Sequence, residues 1–167
     1  MNILVTGGCG FIGSNFIRYL LEDREALEIS GQSEIKVVNM DAITYAGSGR
    51  NIESLKLNNH KNYKFIQGNI CDKILVDKIL REENPDIIFN FAAESHVDRS
   101  ILDSELFRRT NLEGTGILLD SAVRNGKIKF IQISTDEVYG SLSLNSPSSK
   151  ETDMRHPRSP YSATKSG

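Results

Sequence analysis

The sequence predicts an α/β protein built on a doubly wound parallel sheet. Three observations carry that expectation. Short apolar runs alternate with longer segments of helical periodicity along the chain. Several of the runs are almost continuously apolar, as in strands covered on both faces. A glycine-rich turn joins the first apolar run to the first helical segment. Alternation of this kind implies parallel strands joined by right-handed crossovers.

Each element has its own signal. Ile3-Leu4-Val5 reads as the first strand. Residues 11–22 place Phe11, Ile12, Phe16, Ile17, Leu20 and Leu21 at helical spacing. The polar stretch 23–34 reads as an insertion before the second strand, Ile35 to Met40. Tyr63 to Ile66 is the third strand. Asp72 then stands as a helix cap ahead of Ile74, Leu75, Ile79 and Leu80. Asp86 to Phe91 forms the fourth strand, and residues 104–124, with Leu106, Phe107, Leu118 and Leu119, form a long helical segment. Lys129 to Ile133 is the fifth strand. The Ser- and Pro-rich stretch 141–159 is a loop. Ser159 caps a last helix, with Pro160 in its first turn. No internal repeat is present.

Composition narrows the function classes. A chain of 167 residues suits one domain with a sizeable core. Hydrophobic content of 38% and charged content of 25% are those of an ordinary globular protein. A net charge of −2 offers nothing to nucleic acid or an anionic membrane. No apolar run approaches the ~20 residues of a membrane span. The N-terminus has no basic region followed by an apolar stretch, so no signal peptide is read. Two cysteines, Cys9 and Cys71, make neither a disulfide framework nor a metal set, and His60, His96 and His156 have no ligand spacing. The expected setting is a reducing cytoplasm.

The turn Thr6-Gly7-Gly8-Cys9-Gly10-Phe11-Ile12-Gly13 carries glycines at 7, 10 and 13. Gly7 permits a tight turn, Gly10 lets a pyrophosphate approach the backbone, and Gly13 lets helix and sheet pack closely. The helix that follows offers free N–H groups and the positive end of its dipole to phosphates. Asp41 follows the second strand. It lies 28 residues past Gly13, more than the usual ~20 for a ribose-binding acid, and the polar insertion accounts for the excess. An aspartate there accepts from a ribose 2′-hydroxyl and repels a 2′-phosphate, which favours NAD over NADP. The fold is therefore expected to be of Rossmann type. Cys9 reads as a small packing residue.

At the other end, Ile133-Ser134-Thr135-Asp136-Glu137-Val138-Tyr139-Gly140 closes the fifth strand, where ligands of a parallel sheet sit. Tyr161 and Lys165 fall at i and i+4 on one helix face, ~6 Å apart along the axis. A free tyrosine has a pKa of ~10, and a cation within ~4–6 Å can lower it by 1–3 units. The pair is thus expected to take a proton from an alcohol, with hydride leaving the same carbon for a nicotinamide.

The segments TGGCGFIGS, VNMDAITYAG, NFAAESHVDRS, TNLEGT, STDEVYG and PYSATKSG resemble the extended short-chain dehydrogenase/reductase family, and within it the dTDP-glucose 4,6-dehydratases. The resemblance covers nearly all of the chain. It implies NAD contacts from Phe11, Ile12, Asp41, Ala42, Ile43 and Thr44. Asn69 and Ile70 would flank the adenine. Phe91, Ala92, Ala93, Glu94, Ser95 and Thr110 would follow the rest of the cofactor, and Tyr161 and Lys165 the nicotinamide ribose. It also implies a reaction. Tyr161 takes the proton of the glucosyl 4-OH while hydride leaves C4. Glu137 removes the proton at C5, acidified by the new 4-keto group, and Asp136 protonates the departing 6-OH. Hydride then returns to C6. Thr135 would bond O4 and Ser95 would help hold the substrate. Two carboxyl groups in opposite protonation states require environments that push their pKa values apart.

One departure from the family pattern is Asn69, where Gly-Asp-Ile is usual. An asparagine accepting through its amide oxygen lacks charge assistance, so weaker NAD binding than with Asp is expected. Alternatives are another nucleotide-sugar dehydratase or epimerase of the same superfamily, and a non-catalytic NAD-binding module. The paired carboxylates argue against an epimerase. Family members continue for roughly as long again. Residues 1–167 are therefore expected to be an NAD-binding Rossmann domain that lacks the last strands and the substrate domain. Tyr161 and Lys165 would then lie on a frayed helix end. Homodimerisation of the intact enzyme would use the helix at 104–124. By itself the 167-residue chain is expected to have very low dehydratase activity; robust formation of the 4-keto-6-deoxy sugar by purified chain would contradict this.

Overall fold

Five parallel strands form one sheet in the order β3-β2-β1-β4-β5: β1 (Asn2–Thr6), β2 (Lys36–Asp41), β3 (Tyr63–Gln67), β4 (Ile87–Asn90) and β5 (Lys129–Gln132). They are drawn from a computed structural model that describes residues 1–31, 33–54, 56–126 and 128–167. β1 is central. Ile3 lies beside Val37 on one side and Ile87 on the other. This is the Rossmann-type arrangement expected from the alternation of strands and helices.

Because side chains alternate across a strand, the two faces of the sheet bury different sets. Ile3, Val5 and Val37 point into one core with Ile17, Leu20, Ile35, Ile52 and Leu57. Leu4, Val38, Met40 and Ile88 point into the other, with Val76, Ile79, Leu80, Leu118 and Ala122. The first core is covered by α1 (Phe11–Glu22), α2 (Arg24–Ser30) and α3 (Gly49–Ser54). The second is covered by α4 (Lys73–Glu83) and α7 (Thr115–Arg124). Asp72 caps α4 as expected, accepting from Leu75 N at 3.0 Å.

Some elements differ from the sequence reading. The stretch 23–34 is not only an insertion: Asp23 accepts from Glu25 N at 3.0 Å and starts α2, which buries Ala26. Gln32, within that stretch, lies outside the described residues. A short helix, α3, and a turn at Leu57–Asn59 appear between β2 and β3; they are too short to show periodicity. The helical segment at 104–124 is divided. A short α6 (Glu105–Phe107) leads into a widened π-type stretch, Arg108–Gly114, before α7. A further helix, α5 (Val97–Leu102), precedes it.

The last helix, α8 (Pro160–Ser166), is docked rather than frayed, contrary to expectation. Ser159 and Ser162 form a reciprocal capping box, with Pro160 in the first turn. Ser162 and Thr164 are buried. Seven residues do not make a stable helix alone, so tertiary bonds hold it.

Gly13 tests how tightly α1 packs on the turn before it. A Cβ at Gly13 would overlap the Gly7 carbonyl oxygen, whereas one at Gly116 in α7 meets nothing within 4 Å. Alanine's better helix propensity favours both substitutions by up to about 1 kcal/mol. Overpacking against backbone at Gly13 costs about 1–3 kcal/mol. Urea unfolding should therefore show Gly13→Ala less stable than Gly116→Ala; equal midpoints for the two would contradict the close packing.

Candidate active site

The C-terminal ends of all five strands open on one cleft of about 360 Å³. Its floor is the glycine turn. Gly7 adopts φ +74°, and a Cβ there would lie 2.5 Å from Ala92 N, so the turn and the loop after β4 touch backbone to backbone. Gly7 N donates to Met40 O at 2.9 Å, which ties the turn to β2. The N-cap of α1 is Gly10, which supplies no side-chain acceptor. The first-turn N–H groups are left for a ligand, and Phe11, Ile12 and Gly13 line the cleft there. Cys9 is buried, and burial together with the Asp41 carboxylate pushes its thiol up to about 11, as suits a packing residue.

Asp41 ends β2 on the cleft wall and is 8% exposed. Its Oδ2 accepts Cys9 N at 2.8 Å and its Oδ1 accepts Ile43 N at 2.7 Å. The carboxylate therefore has a fixed orientation, with lone pairs to spare for a diol. Ile43 sits at φ +51°, a costly conformation for a β-branched residue. The bond to Asp41 Oδ1 holds it there. Ala42 and Thr44 line the cleft, but Ile43 does not. Beyond β3, Asn69 and Ile70 extend the wall. Asn69 Oδ1 accepts Cys71 N at 2.9 Å, so the amide oxygen expected to face a ligand is engaged within its own loop.

Phe91 through Ser95, after β4, line the middle of the cleft with Thr110 opposite, and Tyr161 and Lys165 close its far end. Glu94 is buried; burial raises its carboxyl, opposed by the Tyr45 hydroxyl and by Arg99. The Arg99 guanidinium lies 4.2 Å from the centre of the Tyr45 ring. The loops after β2 and β4 thus meet at the rim.

Thr135 caps a 3₁₀ turn after β5 that begins with Asp136 and Glu137, and all three lie outside the cleft lining. Thr135 Oγ1 accepts Glu137 N at 3.3 Å and donates to Asp136 Oδ1 at 3.3 Å. Tyr161 is part of this group. Burial raises its phenol; a hydrogen bond with Thr135 works against that, and the Glu137 and Asp136 carboxylates add to it. Lys165 does not act on the phenol as expected. Its Nζ donates to the Ile133 carbonyl at 2.6 Å, and burial pulls the amine down to about 8. The reason is local: the amine has a backbone acceptor, and the phenol stands among carboxylates.

Two positioning residues had no signal in the sequence beyond membership of a motif. Asn111, buried in the widened stretch, accepts Glu94 N at 2.9 Å and donates to Glu94 O and Thr164 Oγ1, each at 3.0 Å. Ser100 in α5 is fully buried and accepts Tyr161 N at 3.1 Å. Together they fasten α8 to α5 and to the widened stretch, and through Asn111 to the loop after β4. Met40, Ala46, Gly47, Gly68, Ile133 and Ser134 also line the cleft without having been singled out. Among the described residues no cluster of His, Cys, Asp and Glu could hold a metal, and no helix is long and apolar enough to cross a membrane.

This geometry has clear relatives. The low-salt glycan biosynthesis protein Agl12 of Haloferax volcanii is 49% identical over 167 residues, all of this chain and 49% of that protein. The dTDP-glucose 4,6-dehydratase of Streptomyces griseus is 43% identical over 98% of this chain and 46% of that protein. Among solved structures, the dTDP-glucose 4,6-dehydratase DesIV of Streptomyces venezuelae, with NAD and TYD bound, superposes with a TM-score of 0.87 at 42% identity. It is matched over 99% of this chain and 48% of that one. The chain spans about half the length of the curated relatives it matches. A family model described as GDP-mannose 4,6 dehydratase matches residues 4–167, and the chain belongs to that family.

Proposed function

We propose that the cleft binds NAD and that, within an intact enzyme, this chain supplies the NAD-binding half of a dehydratase converting dTDP-glucose to dTDP-4-keto-6-deoxyglucose. The observation that carries the proposal is the continuity of the cleft. One wall runs from Asp41, past the uncapped start of α1, to Tyr161 and Lys165. The residues fit a dinucleotide: a turn with no room for a Cβ, a helix N-terminus for the pyrophosphate, and a fixed carboxylate for a ribose diol. The names of the relatives support the substrate.

When bound, NAD would accept a hydride from an alcohol carbon and return it later in the same turnover. The chain does the rest. Tyr161 removes the proton of the sugar 4-OH, with the Thr135 hydroxyl beside the phenol. Lys165 holds a ribose hydroxyl with the donors that Ile133 leaves free. Glu137 takes the proton at C5, and Asp136 gives one to the departing 6-OH, so that water is lost. Ser95 steadies the sugar. A substrate domain outside residues 1–167 would grip the nucleotide. The intact protein would pair as a homodimer through the outer face of α7, where Leu119 and Val123 are exposed. Nucleic acid and membranes are not expected partners.

The role of Asp41 is tested by calorimetry with NAD and NADP. A charge-assisted hydrogen bond contributes about 1.5–3 kcal/mol. Asp41→Asn should therefore lower the preference for NAD over NADP at least ~10-fold. An unchanged preference would remove Asp41 from the ribose site.

Lys165 generates a pH prediction. Its folded pKa, about 8, lies below the ordinary value of 10.5. Between these values the unfolded state binds more protons, so this group makes stability rise with pH. Below about 8 the penalty is constant. Urea unfolding should show the wild-type chain gaining on Lys165→Met as pH rises from about 8 towards 10. Parallel pH profiles for the two would show that the amine is not depressed.

A further inference from the structure

Asn69 is the place where this chain speaks about the base of its ligand, an inference that rests on the proposed binding of a dinucleotide. The sheet order sets the direction of the cleft. Asp41 ends β2, and β3 lies next to β2 at the sheet edge. A ribose held at Asp41, with its pyrophosphate over the glycine turn after β1, leaves the base to lie over the end of β3. Asn69 lines the cleft at that end.

The orientation of the Asn69 amide is set by its own loop. Oδ1 accepts Cys71 N at 2.9 Å, while the Asn69 backbone carbonyl accepts Asp72 N at 2.9 Å. Asp72 in turn caps α4, and Cys71 Sγ contacts the Arg109 carbonyl at 3.2 Å. The loop is therefore anchored at Asn69, Cys71 and Asp72. Turning the amide over would set its NH₂ against the Cys71 N–H, two donors face to face. That costs a hydrogen bond and leaves the backbone donor without an acceptor. Oδ1 stays within the turn, and Nδ2, which has no partner among the described residues, is the atom left for a ligand.

We propose that Asn69 meets the base as a hydrogen-bond donor through Nδ2, and that the chain therefore does not select a purine by its 6-amino group. The amino group of adenine is itself a donor, whereas its ring nitrogens, and the 6-oxo group of hypoxanthine, accept. An aspartate at this position would behave differently. One carboxylate oxygen would serve Cys71 N–H and the other would accept from the amino group. The expectation that Asn69 accepts from adenine through its amide oxygen is replaced by the opposite polarity.

The test compares dissociation constants for NAD and nicotinamide hypoxanthine dinucleotide, measured by calorimetry on the wild-type chain and on Asn69→Asp. Their ratio within each protein cancels any general loss of folding or affinity. Asn69→Asp should shift the ratio towards NAD by about tenfold, since a donor facing a donor becomes an acceptor with charge. Asn69→Ser keeps an oxygen for Cys71 N–H and removes Nδ2; it should shift the ratio in the same direction by a smaller factor. Ratios within twofold of wild type in both variants would overturn the inference while leaving dinucleotide binding intact. Failure of every protein to bind either dinucleotide would overturn the binding proposal, and this inference with it.

Discussion

The Asp41 carboxylate is the point on which the cleft depends. Its two oxygens accept from Cys9 N, in the glycine turn, and from Ile43 N, in the loop after β2. Two loops that begin on adjacent strands are thereby fixed to one group. The same bond holds Ile43 in a left-handed conformation that a β-branched side chain resists. That conformation directs the following residues so that Thr44 faces the cleft and Tyr45 reaches Arg99 on α5. A buried carboxylate without such donors would carry a heavy desolvation cost. Here two backbone N–H groups offset it, and the carboxylate remains available on the cleft side.

The second constraint lies at the opposite end and is made of neutral groups. Asn111 sits in a stretch where the helix widens, and it bonds both the N–H and the C=O of Glu94 as well as the Thr164 hydroxyl. Such widened turns often occur at functional sites because they change which groups the helix presents. Here the loop after β4 and the helix carrying Tyr161 and Lys165 share a single amide as their reference point. Ser100 adds a second tie at Tyr161 N. A helix of seven residues can then hold Tyr161 and Lys165 in place.

Much of this was legible in the sequence, for reasons that differ from element to element. The strands were readable because both faces of the sheet are covered, so Ile3-Leu4-Val5 and Val37-Val38 show no polar interruption toward solvent. The caps Asp72 and Ser159 were readable because capping is local chemistry. The elements α2 and α3 are not legible because six or seven residues, with Ala26 and Ile52 buried, leave no period to detect. Asn111 and Ser100 escaped for another reason: their partners are 17 to 61 residues away, and polar side chains within helices normally face water. The docking of α8 followed from those partners and was missed with them. The orientation of the Asn69 amide was also out of reach, since residue type reveals both an acceptor and a donor and only the Cys71 N–H decides between them.

The polarity of the Tyr161–Lys165 pair shows what positioning costs. Burial raises the phenol and lowers the amine, so each is pushed toward its neutral form. These are the directions opposite to a phenolate stabilised by an ammonium. The same burial excludes water and fixes the Lys165 amine on the Ile133 carbonyl. The neighbouring carboxylates of Glu137 and Asp136 push the phenol further from ionisation. A positive charge brought close to the phenol would favour its ionised form. Such a charge would act on a partly buried site, where it is felt more strongly than in water. The acidity of Tyr161 is thus governed by burial, by Thr135 and by the neighbouring carboxylates rather than by its spacing from Lys165.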